Sequence, residues 1–215
     1  MTRTRLMIAA LFAAAACGQG EAVSRPAAVG AEAASVQDSG RRETAVFAGG
    51  CFWSVEANFE AMPGVVSAVS GFAGGRTSNP TYDQVVRGGT GHLEAVQVTY
   101  DPARISYRQL VDRFWRTIDP TDAAGQFCDR GAPYGTAVFA TTAQAPAANA
   151  SRAAAAAVIG PARFVTPVRA AARFWPAESY HQDFARRNPA RYGGYSRFCG
   201  RGARLRAVWG AQAGA

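Results

Sequence analysis

Hydrophobic and polar residues alternate along several short stretches of the chain, which is the pattern of half-buried β-strands. The alternation is clearest between Leu93 and Tyr100, a run that ends at Asp101 and Pro102. Other apolar runs are bounded by glycine, proline and polar turn residues. They predict further strands at residues 44–48, 65–71, 136–140 and 168–175.

A second period, of three and four residues, predicts helices between these strands. The clearest helix covers residues 106–118, with Ser106 as its N-cap candidate and one apolar stripe along it. That stripe consists of Leu110, Val111, Phe114, Trp115 and Ile118. Further helices are predicted at residues 54–62, 142–159 and 176–188. Because helices mix with neighbouring strands that lack long crossovers, the pattern predicts an α+β fold rather than a doubly wound sheet.

The N-terminal part of the chain differs from this folded region. Residues 1–17 combine two arginines, an apolar run too short to span a bilayer, and small residues before Cys17. This pattern predicts a signal peptide and export to the periplasm. A cysteine directly after the small residues predicts a lipoprotein acylated at Cys17, although ordinary cleavage would give a soluble exported protein. Residues 18–43 contain no aromatic residue and are predicted to be a flexible linker, which leaves residues 44–215 as the folded domain.

The amino-acid composition limits the kinds of partner that we expect this domain to bind. The formal net charge is +8 and comes mostly from arginine. It includes no lysine-rich run and no nucleic-acid-binding motif, so we expect no nucleic-acid partner. Contact with a membrane is expected only through the N-terminal lipid.

The candidate chemistry begins where the first predicted strand ends. Gly49 and Gly50 permit a sharp turn, and Cys51 would then lie in the first turn of a helix. Free backbone N–H groups and the positive end of the helix dipole favour a thiolate there. Phe52 and Trp53 place aromatic rings beside the cysteine. The stretch therefore predicts a reactive thiol with an aromatic wall.

Three hypotheses use this cysteine, and the residues alone leave all three open. The chain has 4 cysteines, no CxxC pair and 2 histidines, so we expect no metal site. A cysteine hydrolase would take His92 or His181 as its base. An exported binding module would use Cys51, Cys128 and Cys199 for a structural disulfide. A redox enzyme would attack with Cys51 and resolve with Cys199 on a mobile tail.

Many short motifs occur in one order along the chain, and together they resemble the peptide methionine sulfoxide reductase A family. The resemblance covers about residues 44 to 200. The motifs are Gly50-Cys51-Phe52-Trp53 with Glu56, Pro63-Gly64-Val65, Gly71-Phe72-Ala73-Gly74-Gly75, Asn79-Pro80-Thr81-Tyr82, Thr90-Gly91-His92-Leu93-Glu94-Ala95-Val96, Tyr100-Asp101-Pro102, Phe114-Trp115, Asp119-Pro120-Thr121, Phe127-Cys128-Asp129-Arg130-Gly131, Tyr134 and Tyr180-His181-Gln182.

The resemblance implies a two-layer α/β sandwich with a mixed, mainly antiparallel sheet of the ferredoxin-like type. A long coil-rich C-terminal tail would follow it. It also implies an enzyme without a cofactor that reduces methionine-S-sulfoxide, free or in damaged proteins, and acts as a monomer. In this family's chemistry Cys51 would attack the sulfoxide sulfur and become a sulfenic acid, while Glu94 supplies a proton. Cys199 would resolve the sulfenic acid to a disulfide, which a thioredoxin-like reductant recycles.

The resemblance also implies a set of substrate-binding residues. The hydroxyls of Tyr82 and Tyr134 would hold the sulfoxide oxygen, and Phe52 and Trp53 would pack against the methyl group. Asp129 would bind the backbone N–H of the substrate.

The chain departs from the family pattern at several positions. Gly135 follows Tyr134 where the family usually has arginine. The tail at residues 191–200 is rich in glycine, which predicts flexibility, and it carries a single cysteine, Cys199. A relay through a second tail cysteine is therefore not available. Cys128 could have a structural role or act as a second partner, and of these alternatives we expect a buried free thiol.

Overall fold

The computed structural model describes residues 40–214. The predicted signal peptide, the predicted lipidation site at Cys17 and most of the predicted linker lie outside these residues. The strands are β1 (Glu43–Gly49), β2 (Val65–Ala73), β3 (Leu93–Tyr100), β4 (Gly125–Gln126), β5 (Asp129–Arg130), β6 (Thr136–Ala140), β7 (Val168–Ala170) and β8 (Phe174–Pro176). The helices are α1 (Phe52–Glu60), α2 (Tyr82–Val86), α3 (Tyr107–Trp115), α4 (Ala145–Ile159), α5 (Phe184–Arg187), α6 (Pro189–Phe198) and α7 (Arg201–Trp209).

One mixed sheet forms the centre of the domain. Its strands lie in the order β7-β6-β1-β3-β2-β8, and neighbours are antiparallel except for the parallel pair β6 and β7. In the chain, α1 joins β1 to β2, and α3 lies between β3 and β6. This connection and the order β6-β1-β3-β2 are those of a split β-α-β fold of the ferredoxin-like type. The predicted α+β class is confirmed.

The main core lies between the sheet and the helices. Phe47 of β1 is fully buried, and its ring centroid lies 4.6 Å from that of Phe59 in α1 and 5.0 Å from that of Phe114 in α3. All five residues of the apolar stripe predicted around α3 are buried. Ser106 caps this helix as predicted: its side chain accepts from Gln109 N, and Gln109 Oε1 accepts from Ser106 N at 2.9 Å. Sequence period and capping chemistry therefore agree with the fold here.

The prediction of one strand over residues 168–175 is wrong. These residues form β7 and β8, which pair at opposite edges of the sheet. Residues 171–173 join them and can reach at most about 14 Å, whereas six strands side by side would span about 24 Å in a flat sheet. The sheet must therefore curl. The buried cluster on the face away from the helices is mostly alanine, which permits this curl. It consists of Ala48, Ala73, Ala95 and Ala137 together with Leu93 and Phe139.

The prediction of a coil-rich, flexible tail is also wrong. Residues 189–209 form α6 and α7, which are packed onto the domain. Trp209 is 4% exposed, its Nε1 donates to the Ile118 carbonyl at 2.9 Å, and the Arg116 guanidinium lies 4.0 Å from its ring centroid. Leu205, one turn earlier, is buried as well. Because this i, i+4 apolar pair anchors α7, the glycines of α6 do not leave the tail loose.

Two smaller differences concern local elements. The predicted helix at residues 176–188 is a 3₁₀ turn, Ser179–His181, followed by the four-residue α5. The pattern also predicts no helix at Tyr82, where α2 begins with a capping box between Thr81 and Gln84. Between residues 40 and 214, no helix is both long and apolar enough to cross a membrane.

Candidate active site

Cys51 lies where β1 turns into α1, and the two preceding glycines make this turn possible. Gly50 has φ +78°, and a Cβ there would lie 2.4 Å from Gln126 Cβ. A Cβ at Gly49 would lie 2.9 Å from Val55 Cγ2 and 3.0 Å from a ring carbon of Phe114. Cys51 itself is the N-cap residue of α1 and is 6% exposed. The strand-turn-helix prediction around this cysteine is confirmed.

The environment of the Cys51 sulfur favours a thiol rather than a thiolate. Burial and the charge of Glu94 raise the pKa of Cys51 to about 12, and Asp129 adds to this effect. Hydrogen bonds that the Tyr195 hydroxyl and the Trp53 backbone N–H would donate to a thiolate lower this pKa, but their effect is weaker. The expectation that the helix N-terminus would hold a thiolate is therefore wrong, because desolvation outweighs the helix N–H groups.

Glu94 is the buried acid of the site. Its side chain is 1% exposed, and Oε2 accepts a hydrogen bond from Phe52 N, 2.9 Å away, at the start of α1. Burial raises the pKa of Glu94 to about 8, against the opposing effect of the Phe52 N–H. At neutral pH the carboxyl is therefore mostly protonated and can donate a proton.

Two tyrosine hydroxyls face this carboxyl. Tyr82 begins α2 and Tyr134 ends the 3₁₀ turn Ala132–Tyr134, and the two hydroxyls are close enough for each to shift the pKa of the other. Burial raises the pKa of both, and the charge of Glu94 raises it further. Both groups therefore remain O–H donors at physiological pH. A Cβ at Gly135 would lie 3.3 Å from Leu93 Cδ2, so a larger residue there would require Leu93 to shift.

Aromatic rings form one wall of the site. Trp53 stacks on Phe184 with ring centroids 3.7 Å apart, and its Nε1 donates to His181 Nδ1 at 3.1 Å. The His181 ring lies 5.0 Å from that of Phe52 and 4.3 Å from that of Tyr82. His181 therefore orients the aromatic residues that flank Cys51.

The histidines do not provide the base that a cysteine hydrolase needs. His92 Nδ1 accepts from Gly75 N at 3.1 Å, and its Nε2 lies 2.8 Å from the Thr77 carbonyl oxygen. His181 uses Nδ1 to accept from Trp53, and burial lowers its pKa. Both imidazoles hold the scaffold rather than the Cys51 thiol, which disfavours the hydrolase hypothesis.

Tyr195 is a site residue that sequence reasoning missed. It lies on α6, and its hydroxyl donates a short hydrogen bond to Asp129 Oδ2 while contacting the Cys51 sulfur. Its ring is also edge-on to Trp53, with centroids 6.2 Å apart. The sequence feature that could have identified Tyr195 is its spacing from Cys199. The two residues are one helical turn apart, so a helical tail would carry both on one face.

The other two described cysteines are bonded to each other. Cys128 and Cys199 form a disulfide with their Cα atoms 4.9 Å apart, and Cys51 is free. The prediction that Cys128 is a buried free thiol is therefore wrong. Cys128 lies in the turn between β4 and β5, where Phe127 has φ +58°, and this turn holds the cysteine at the surface. In this form Cys199 is joined to Cys128 and not to Cys51.

The residues predicted from the sequence otherwise meet at one place. The buried Cys51 sulfur lies among side chains from several elements of the fold. These are Phe52, Trp53, Tyr82, Glu94, Asp129 and Tyr134. In the part of the chain that the structure describes, no cluster of three or more His, Cys, Asp or Glu side chains could hold a metal ion. The chemistry available is therefore that of a thiol, an acid and hydroxyl donors.

A buried free thiol among proton donors, together with an accessible disulfide, is typical of a thiol-dependent oxidoreductase. The family model for peptide methionine sulfoxide reductase matches residues 43–213. The chain belongs to the peptide methionine sulfoxide reductase A family, as the sequence motifs indicate.

Curated relatives support the same assignment. The chain is 52% identical over 170 residues to peptide methionine sulfoxide reductase MsrA 2 of Rhizobium meliloti, covering 79% of this chain and 84% of the relative. It is 47% identical over 172 residues to MsrA of Listeria monocytogenes serotype 4a, covering 78% and 96% of the two chains. These relatives are oxidoreductases, and the predicted enzyme class is confirmed.

Solved structures share the fold. Methionine sulfoxide reductase A of Corynebacterium diphtheriae superposes with TM-score 0.62 at 34% identity, covering 69% of this chain and 76% of that chain. Reduced Mxr1 of Saccharomyces cerevisiae superposes with TM-score 0.67 at 29% identity, covering 71% and 89%.

Proposed function

We propose that this protein reduces methionine-S-sulfoxide to methionine through Cys51, and so repairs oxidised proteins or recovers the free amino acid. The observation that carries this proposal is the position of the Cys51 sulfur beside the protonated Glu94 carboxyl and the paired hydroxyls of Tyr82 and Tyr134. A sulfoxide placed there would meet a nucleophile at its sulfur and three O–H donors at its oxygen.

Glu94 and the tyrosines act on the sulfoxide oxygen. As the Cys51 sulfur attacks, negative charge grows on that oxygen, and Glu94 gives it a proton. Tyr82 and Tyr134 donate hydrogen bonds that strengthen with the charge. The product is methionine, and Cys51 leaves the step as a sulfenic acid. The sulfoxide sulfur gains two electrons and the cysteine sulfur loses two.

The remaining parts of the site orient the substrate. Phe52 and Trp53 offer apolar aromatic faces to the sulfur-bound methyl group. Asp129 lies close enough to influence the pKa of Cys51, and its free carboxylate oxygen suits a substrate backbone N–H. A peptide substrate would therefore be held by its side chain and its main chain together.

Recovery of Cys51 uses both other cysteines in their reduced form. The Cys199 thiol condenses with the Cys51 sulfenic acid, forming a disulfide and releasing water. The Cys128 thiol then attacks the Cys199 sulfur, which forms the Cys128–Cys199 disulfide and returns the Cys51 thiol. The observed disulfide supports this order of steps, because Cys128 and Cys199 are oxidised while Cys51 is a free thiol.

Accessibility indicates where a protein reductant would act. Cys51 is 6% exposed, whereas Cys128 is exposed and Cys199 is partly exposed. A thioredoxin-like dithiol can therefore reach the Cys128–Cys199 disulfide without entering the substrate pocket. We propose such a reductant as the electron donor.

The proposal extends to the location of the protein. The basic and apolar N-terminus followed by Cys17 supports export to the periplasm and anchoring through a lipid. We propose that the domain acts as a monomer. Cells that express the full chain should incorporate labelled palmitate into it, and Cys17→Ser should lose the label. A labelled Cys17→Ser protein, or an unlabelled wild type, would refute the lipid anchor.

An assay of both sulfoxide epimers tests the activity. With dithiothreitol, and separately with a thioredoxin system, methionine-S-sulfoxide and a peptide containing it should be consumed, whereas the R epimer should remain. Turnover of neither epimer would refute the proposed function. Turnover with dithiothreitol but not with thioredoxin would refute only the proposed electron donor.

A further inference from the structure

The hydroxyl of Tyr195 joins the reactive sulfur to a carboxylate. Tyr195 donates a hydrogen bond to Asp129 Oδ2, and the same hydroxyl is close enough to Cys51 Sγ for a hydrogen bond between them to lower the pKa of the thiol. A tyrosine hydroxyl can accept one hydrogen bond while it donates another. Because the Tyr195 proton is directed at Asp129, the hydroxyl oxygen is left to accept from the Cys51 S–H, which gives a path from the thiol through Tyr195 to the Asp129 carboxylate.

This hydrogen-bonded path provides a proton acceptor for the attack by the Cys51 thiol, an inference that rests on the function proposed above. Because Cys51 is held as a thiol, its proton must leave when the sulfur attacks. Glu94 needs its own proton for the sulfoxide oxygen. The Trp53 backbone N–H is a donor and cannot accept a proton. His92 is engaged at both ring nitrogens. His181 accepts from Trp53 at Nδ1, so its buried and unpartnered Nε2 carries the ring hydrogen and cannot accept a proton.

We propose that Tyr195 is a catalytic residue that carries the Cys51 proton to Asp129 as the sulfur attacks the sulfoxide. The thiol proton passes to the Tyr195 oxygen while the tyrosine proton passes to the Asp129 carboxylate. Glu94 meanwhile gives its proton to the sulfoxide oxygen. No proton is gained or lost overall, and solvent returns the proton from Asp129 to Glu94 before the next turnover.

The charged groups around the sulfur fit this assignment. Burial raises the pKa of Asp129. The hydrogen bond from Tyr195 and the charge of the buried Arg201 on α7 oppose that rise. Glu94 faces the sulfur from β3, and Tyr82 faces it from α2. The Cys128–Cys199 disulfide holds this arrangement, because Asp129 follows Cys128 and the Cys199 N–H donates to the Tyr195 carbonyl at 3.0 Å.

The test is single-turnover reduction of methionine-S-sulfoxide by the full chain with the Cys128–Cys199 disulfide intact. The Cys51 sulfenic acid is trapped with dimedone and mapped by mass spectrometry. Tyr195→Phe keeps the ring and removes the hydroxyl, so the limiting rate at pH 7 should fall by roughly 10²-fold or more. Between pH 6 and 7.5 the wild-type rate should be nearly constant. The variant's rate should rise by about tenfold per pH unit, because hydroxide then replaces the internal acceptor.

Tyr192→Phe is the matched control on the same helix. The Tyr192 hydroxyl donates to Ser54 Oγ at 3.2 Å. This variant should keep the wild-type rate and pH profile. Asp129→Asn should reproduce the pH dependence of Tyr195→Phe in its limiting rate, because an amide cannot take the proton.

Three results would overturn the proposal. One is a Tyr195→Phe rate within twofold of wild type across this pH range. Another is a faster reaction or a lower half-saturating sulfoxide concentration in Tyr195→Phe, which would mean that the hydroxyl only closes the site. The third is an equal loss in Tyr192→Phe, which would indicate a structural effect of α6. A wild type that consumes no sulfoxide would refute the proposed function instead, so the two failures are distinguishable.

Discussion

Cys51 and Glu94 are both held in their protonated forms, and each form suits the proposed role. Burial is the main cause for each residue, because removal from water disfavours a charged sulfur or carboxylate. The thiol becomes nucleophilic only when its proton is taken, and the carboxyl is ready to donate. In the proposed reaction Cys51 therefore gives up its proton as it attacks, and Glu94 gives its proton to the sulfoxide oxygen.

Substitution of the nucleophile gives the simplest prediction at this scale. Cys51→Ser should abolish sulfoxide reduction, because a hydroxyl is a much weaker nucleophile than a thiol or thiolate. The fold should remain intact, since serine has nearly the same size. Sulfoxide consumption and the thermal unfolding midpoint measure the two outcomes. Turnover by the serine variant would remove Cys51 from the mechanism.

The raised pKa of Glu94 predicts how activity depends on pH. Wild-type activity should fall as the pH rises through about 8, where Glu94 loses its proton. Glu94→Gln should slow the reaction at neutral pH by roughly 10²-fold, and the deficit should ease in acid, where solvent can supply the proton. A rate-against-pH profile of both proteins is the measurement. Equal rates at every pH would exclude Glu94 as the acid.

The same residue links stability to pH. The pKa of Glu94 is raised on folding, so its contribution to stability is fully present below pH 4.5 and is lost as the pH rises through about 8. Glu94→Gln avoids burying a charge. It should therefore unfold at a higher temperature than wild type at pH 9, with a difference that shrinks towards pH 5. A constant difference between the two proteins would contradict the assigned pKa.

At the scale of elements, α6 connects the substrate site to the recycling disulfide. Tyr195 lies over the sulfur, and Cys199 follows at the C-cap of the same helix. Tyr195 and Cys199 are four residues apart, which is about 6 Å along the helix axis. Release of the Cys128–Cys199 bond would therefore free the helix that must bring Cys199 to Cys51.

The tail cysteine should be dispensable for attack but not for recycling. Cys199→Ser should still reduce one equivalent of sulfoxide, because the step at Cys51 does not use it. It should then stall with thioredoxin, while dithiothreitol should partly restore turnover by reaching the sulfenic acid directly. Cys128→Ser is the informative comparison: it should accumulate the Cys51–Cys199 disulfide, detectable by peptide mapping. Undiminished thioredoxin turnover in Cys199→Ser would rule out its resolving role.

Helix α7 anchors the tail through its tryptophan. Trp209→Ala should lower the free energy of unfolding by about 3 kcal/mol, because it removes a buried ring and its hydrogen bond to Ile118. Phe198→Ala is the control, since Phe198 is 88% exposed and should change stability by less than about 0.5 kcal/mol. Denaturant unfolding measures both. Equal effects of the two substitutions would show that α7 is not held by Trp209.

At the scale of the whole molecule, the curled sheet and the packed tail bring distant parts of the chain around one sulfur. Glu94 reaches α1 from β3, His181 reaches Trp53 from beyond β8, and Tyr195 arrives from the C-terminal helices. None of these residues is close to Cys51 in sequence. The site therefore depends on the complete domain.

The sequence by itself determined the α+β class, the α3 stripe, the Ser106 cap and the glycine turn at Cys51. Each of these follows from local rules, namely period, capping and backbone freedom. The ordered motifs also indicated the family and named most residues that surround the sulfur. Only the tertiary structure decided the protonation of Cys51, the pairing of Cys128 with Cys199, and the place of Tyr195. Those depend on burial and on contacts between residues far apart in the chain, which no local pattern records.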